Sequence, residues 1–85
     1  MQLGYDPRAV KELAKLSPAV RVTIMAKLKL LATSGLGGAL RNQIKAVVGE
    51  GRLYRLRVGD YRVVFSVVRE EATILRIAHR REVYR

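Results

Sequence analysis

Leu53-Tyr54-Arg55-Leu56-Arg57-Val58, then Gly59-Asp60, then Tyr61-Arg62-Val63-Val64-Phe65-Ser66-Val67-Val68 is a pair of period-two runs around a Gly-Asp dipeptide. Successive side chains of a strand point to opposite faces, and a two-residue link containing glycine closes a β-hairpin, so this stretch predicts two antiparallel strands. A two-residue turn pairs Val58 with Tyr61, Arg57 with Arg62 and Arg55 with Val64. Alternation from that register gathers Tyr54, Leu56, Val58, Tyr61, Val63, Phe65 and Val67 on one face and Arg55, Arg57, Arg62, Val64 and Ser66 on the other. The apolar face is the one that helices should cover.

A third run, Thr73 to Arg80, follows the polar turn Glu70-Glu71. Leu75 and Ile77 suit the buried face, which leaves Ile74, Arg76, Ala78 and Arg80 on the arginine side. To bring Arg80 opposite Arg62, the second turn must contain an odd number of residues, about three around Glu70 to Ala72. One sheet face then collects Arg55, Arg57, Arg62, Arg76 and Arg80.

Upstream of the hairpin, Met1 to Tyr5 predicts a short edge strand. Asp6-Pro7 and Ser17-Pro18 each place a capping oxygen before a proline, whose fixed φ suits the first helical position. They predict helices over about 7–16 and 18–33, joined tightly enough to form an antiparallel hairpin, with Gly35 as a left-handed cap. In the first helix Ala9, Val10, Leu13, Ala14 and Leu16 form the apolar stripe and Arg8, Lys11, Glu12 and Lys15 turn mostly outward. The apolar run Ile44 to Val48 fits either a strand or a helix end.

Composition narrows the chemistry. The chain has 85 residues, 49% of them hydrophobic, without low-complexity tracts, which predicts one domain over residues 1–85. It has no cysteine and one histidine, so disulfides, thiolate chemistry and Cys-based zinc sites are excluded; no metal or cofactor is expected. The N-terminus MQLGYDPRAV lacks the basic start and apolar stretch of a signal peptide, and a cytoplasmic setting is expected. No run approaches the roughly 20 apolar residues of a membrane span.

Seventeen Lys and Arg against seven Asp and Glu give a formal charge of +10, which calls for an acidic partner. Eleven of the seventeen lie after Leu40, and ten of those eleven are Arg. Arginine's planar fork grips phosphate, so the C-terminal half is the expected working surface. Basic residues on strands do not make the polar face of one amphipathic helix, which argues against a membrane-surface role. Solvation of an open sheet face explains any one of these arginines. It explains the set less well, because like charges across a sheet are unfavourable, by roughly 0.7 to 3 kcal/mol for a pair about 6 Å apart at dielectric 80 to 20. His79, the obvious acid–base candidate, falls by alternation on the opposite face and reads as structural. Tyr54 and Tyr61 read as packing residues, and Tyr84 lies in the tail Arg81-Glu82-Val83-Tyr84-Arg85.

The segments YRLRVGDYRVVF (54–65) and ILRIAHRREVYR (74–85), behind DPRAVKELAKLSPAV (6–20), resemble the RelE branch of the RelE/ParE toxins over nearly the whole chain. The resemblance implies an α+β fold: an N-terminal antiparallel helical hairpin packed on one face of an antiparallel sheet of about four strands. It also implies a toxin neutralised by a co-expressed antitoxin, expected here to be acidic. RelE-like toxins cleave messenger RNA in the ribosomal A site, the 2′-hydroxyl attacking the adjacent phosphate.

By motif, Arg55 and Arg57 match two basic positions that are often Lys in relatives. Arg62 matches the Arg after the hairpin Tyr, Arg80 the Arg near the end of the last strand, and Tyr84 the tail Tyr. Arginine stays protonated at any working pH, so Arg57, Arg62 and Arg80 are expected to stabilise charge in the transition state while Tyr84 moves the proton. Arg55, Arg76 and Arg81 are the expected RNA-binding residues. Two alternatives stay open: a ParE-like gyrase inhibitor on the same fold, and a non-catalytic nucleic-acid-binding module. The arginine face lacks an aromatic for base stacking, which weakens the second.

Overall fold

Each predicted start signal caps its helix in the computed structural model, which describes residues 1–83. Strand β1 (Gln2–Tyr5) leads to helix α1 (Pro7–Ala14), where Asp6 Oδ1 accepts the Arg8 N–H at 2.9 Å. Helix α2 (Pro18–Ser34) begins at Ser17, whose Oγ accepts the Val20 N–H at 3.4 Å, and it ends at Gly35 with φ 68°. α1 stops two residues before the predicted Leu16, at Ala14. The residue before a proline is driven to extended backbone, and Ser17 has ψ 152°, so the turn into α2 takes up the last predicted residues.

A 3-10 turn (Arg41–Gln43) then leads into β2 (Ile44–Ala46), β3 (Leu53–Val58), β4 (Tyr61–Val68) and β5 (Glu71–His79). The sheet has five strands in the order β1-β5-β4-β3-β2. β2 to β5 form an antiparallel meander, and β1 joins β5 in parallel, so the sheet is mixed and one strand larger than expected. The open segment at Ile44 is thus a strand. Because β1 and β2 occupy opposite edges, the chain between them must cross the whole sheet. The 17 residues of α2 span about 25 Å, enough to pass over four strand spacings of about 4.8 Å.

The core lies between the helices and the predicted apolar face. Ile24, Leu28 and Leu31 of α2 are buried with Leu56, Val63, Phe65, Ile74 and Ile77. Tyr54 stacks on Phe65 with ring centroids 5.7 Å apart, as a packing residue. Val10, expected in the stripe of α1, is instead half exposed, and only Ala9 of that helix is fully buried. No helix among the described residues is long and apolar enough to cross a membrane.

The β3–β4 register is the expected one, Val58 to Tyr61, Arg57 to Arg62 and Arg55 to Val64. The β4–β5 connection is not. Its turn holds two residues, Arg69 and Glu70, since Val68 pairs with Glu71. The odd residue that parity demands is a β-bulge: Val64 pairs with Arg76 and Phe65 with Ile74, which leaves Leu75 as the extra residue. Ile74 is therefore fully buried opposite Phe65, not on the arginine side, while Leu75 is only half-buried.

Candidate nucleic-acid interface

Cross-strand pairing builds the open face in rows. Lys45, Arg55, Val64 and Arg76 form one row across β2, β3, β4 and β5. In the next, Arg57 faces Arg62, which faces Ala78. The 3-10 turn ends at Gln43, immediately before Ile44, which pairs with Leu56 next to Arg57. Asn42, Gln43, Lys45, Arg55, Arg57 and Arg62 line a concavity of about 310 Å³. No carboxylate is among them.

Arg62 sits at the centre of the charge. Its Nη1 donates to the carbonyls of Gly59 and Tyr61, both at 2.9 Å, so the guanidinium is folded back onto the hairpin. Partial burial first, then the fields of Arg57 and Arg80, hold its pKa below the ordinary guanidinium value; Asp60 opposes them, and Arg55 adds to them. Three cations therefore act on Arg62 against one acid. Arg80 is placed by the hairpin: its N–H donates to the Asp60 carbonyl at 2.7 Å, one step beyond the Tyr61–His79 pair. Its side chain stays half exposed, 3.9 Å from Asp60 Oδ1.

The structure brings Arg55, Arg57, Arg62 and Arg80 together, and it does not bring Arg76 to them. Arg76 Nη2 donates to Glu12 Oε2 at 2.9 Å and Nη1 to the Val83 carbonyl at 3.4 Å, with 18% of the side chain exposed. Glu12, expected to face outward, is drawn in for a second reason. β1 ends at Tyr5, opposite Ile74, so farther along β5 that edge has lost its partner strand. Glu12 Oε1 accepts the Ile77 N–H there at 2.9 Å, which satisfies a backbone donor that would otherwise be stranded.

Arg81 is exposed, and its N–H donates to His79 Nδ1 at 3.2 Å. His79 pairs with Tyr61 across the strands and lies edge-on to it, with ring centroids 5.5 Å apart. Tyr84 lies outside the described residues. The sequence reading missed Lys45, Asn42 and Gln43. The apolar Ile44 followed by the charged Lys45, ahead of the turn signal Gly49-Glu50-Gly51, was the available clue to another outward-facing strand residue. Among the described residues no three His, Cys, Asp or Glu side chains gather where they could hold a metal.

Known proteins share this architecture. The RelE toxin in the RelB-RelE antitoxin-toxin complex of Methanococcus jannaschii superposes with a TM-score of 0.81 at 26% identity, over 95% of this chain and 94% of that one. The archaeal RelE-RelB complex of Pyrococcus horikoshii gives 0.78 at 26% identity, over 96% and 97%. The intact RelBE toxin-antitoxin complex of E. coli gives 0.73 at 26%, over 92% and 94%. No curated protein matches the sequence. Residues 3–84 match the family described as the ParE toxin of type II toxin-antitoxin systems, parDE. Matched by that family model over nearly its whole length and sharing the fold of these RelE structures, the chain belongs to the ParE toxin family within the RelE/ParE superfamily.

Proposed function

We propose that this toxin is an endoribonuclease that cleaves messenger RNA on the ribosome. The observation that carries the reading is the cationic concavity: Arg62 experiences three arginines and one acid, an arrangement that folding alone disfavours and a phosphate relieves. In the reaction the 2′-oxygen of one nucleotide bonds to the adjacent phosphorus and the bond to the 5′-oxygen breaks, leaving a 2′,3′-cyclic phosphate and a 5′-hydroxyl. Negative charge grows on the phosphoryl oxygens as this happens. Arg57, Arg62 and Arg80 stabilise that charge, while Arg55 and Lys45 hold the neighbouring backbone. Arginine keeps its proton, so removing the 2′-proton falls to another group, which we assign to the ionised hydroxyl of Tyr84, while a water molecule supplies the proton that the departing 5′-oxygen takes up. Arg81, exposed and next in sequence to Arg80, is assigned an RNA contact; Arg76 is committed to Glu12 and contributes little directly.

The relatives in complex with RelB support an antitoxin partner, and the charge of +10 favours an acidic one that works in the same compartment as the ribosome, the cytoplasm. Single-turnover cleavage on programmed ribosomes, with binding measured separately, tests the assignment. Arg62→Ala and Arg80→Ala should slow cleavage more than they weaken binding, and Tyr84→Phe should slow cleavage alone. The family's ParE description favours a second reading, inhibition of DNA gyrase. Growth arrest with lost supercoiling and intact translation would establish that reading in place of the first.

A further inference from the structure

The concavity is lined unequally. Arg55, Arg57 and Arg62 make one side, whereas the 3-10 turn contributes two carboxamides, Asn42 and Gln43, on the other. Gln43 Oε1 is sealed from solvent with no hydrogen-bond partner among the described residues. An unsatisfied buried acceptor costs about 1–3 kcal/mol, and a leucine would fill the same space without that cost. The amide is therefore poorly explained by packing. A half-turn about its last bond exchanges oxygen and nitrogen, so Gln43 is able to offer either a donor or an acceptor to the concavity.

We propose that this concavity holds one nucleotide of a single-stranded RNA, with a phosphate on Arg57 and Arg62 and the base against Asn42 and Gln43, so that the two carboxamides select the base. The proposal rests on the RNA reading above and goes beyond it by naming the residues that read sequence. The volume, about 310 Å³, is at the small end of the range for small-molecule sites and matches a single nucleotide better than a longer segment. Arginine contacts to phosphate position RNA without reading it, because every nucleotide carries the same phosphate. Side-chain amides read base edges, since one group presents a donor and an acceptor side by side. Gln43 directly precedes Ile44, the strand partner of Leu56, and lines the same concavity as Arg57 and Arg62, so phosphate and base contacts fall within the span of one nucleotide.

The test uses the purified 85-residue chain and four 2′-O-methyl homotrinucleotides, of A, C, G and U, which bind without being cut. The unaltered protein should separate its best and worst trinucleotide by about tenfold or more, the scale of one good amide–base contact. Gln43→Leu and Asn42→Ala should each shrink that spread, and the double variant should bring all four within about twofold. Gln43→Leu should also melt no lower than the parent, which shows the amide is not kept for stability. Arg62→Ala should weaken all four trinucleotides together. Equal affinities in the unaltered protein, no binding by any of the four, or an unchanged spread in the folded double variant would each overturn the proposal. Base selection without cleavage of messenger RNA would sink the ribonuclease reading and leave this one standing. Cleavage without base selection would do the reverse.

Discussion

Arg62 and Arg76 stand on adjacent strands, and alternation gives their side chains the same face, yet their surroundings differ completely. Arg62 has three arginines and one acid acting on it and folds against its own hairpin. Arg76 reaches a carboxylate 64 residues earlier in the chain and a carbonyl of the C-terminal turn. The first keeps its charge available on an open face. The second spends its charge joining α1, β5 and the turn that carries Val83. Two arginines of one sheet face thus differ in whether a carboxylate is bonded to them, and the proposed RNA role falls to the one without that bond.

The comparison is broken most severely at Glu12. Glu12→Ala leaves the Arg76 guanidinium and the Ile77 N–H without their partner, and should cost about 2–4 kcal/mol in denaturant unfolding. A cost below about 1 kcal/mol would mean that Arg76 is no more structural than Arg62. Arg62→Ala should act in the opposite sense. It relieves repulsion, so stability should hold or rise, while single-turnover cleavage falls about 10²-fold, the loss expected for one donor to a developing oxyanion. A variant that lost stability but cut at the parental rate would reverse the roles of the two arginines.

His79 sharpens the boundary between the two regions, because it sits on the core-side parity beside Tyr61. His79→Ala should lower stability by about 1 kcal/mol through loss of the edge-on ring contact and leave the cleavage rate unchanged. An inactive, stably folded variant would make the imidazole a participant in the reaction. The smallest effect concerns the two hairpin turns. Gly59 takes φ 57° at the turn beside the cluster, and Arg69 takes the same 57° at the far turn, where a side chain opposes it. Arg69→Gly should raise stability by about 0.5 kcal/mol, the relief of strain offset in part by glycine's greater freedom in the unfolded chain. Binding to RNA should stay the same, since Arg69 lies outside the concavity.

Near the hairpin the sequence was almost fully legible. Two period-two runs and a Gly-Asp link specify their own register, because a one-residue slip would turn Leu56, Val58, Val63 and Phe65 out of the core. The caps at Asp6 and Ser17 were equally readable, since a cap depends on residues within three positions. Legibility failed where the outcome depended on distant contacts. Ile44 to Val48 is too short a run for its period to separate strand from helix, so Lys45, Asn42 and Gln43 were not recognised beside Arg57.

Local periodicity and capping by themselves determined the two helices, the β3–β4 register and the gathering of Arg55, Arg57 and Arg62 on one face, because each follows from bonds and alternation over a few residues. Tertiary structure alone decided the rest. It set β1 parallel to β5 and placed the odd residue at Leu75 rather than in the turn. It also turned Glu12 inward to take Arg76 out of the cluster and brought the 3-10 turn to the rim of the arginine concavity. In each case the deciding partner is another strand or helix, whose hydrogen-bond demands do not appear in the period of the segment that meets them.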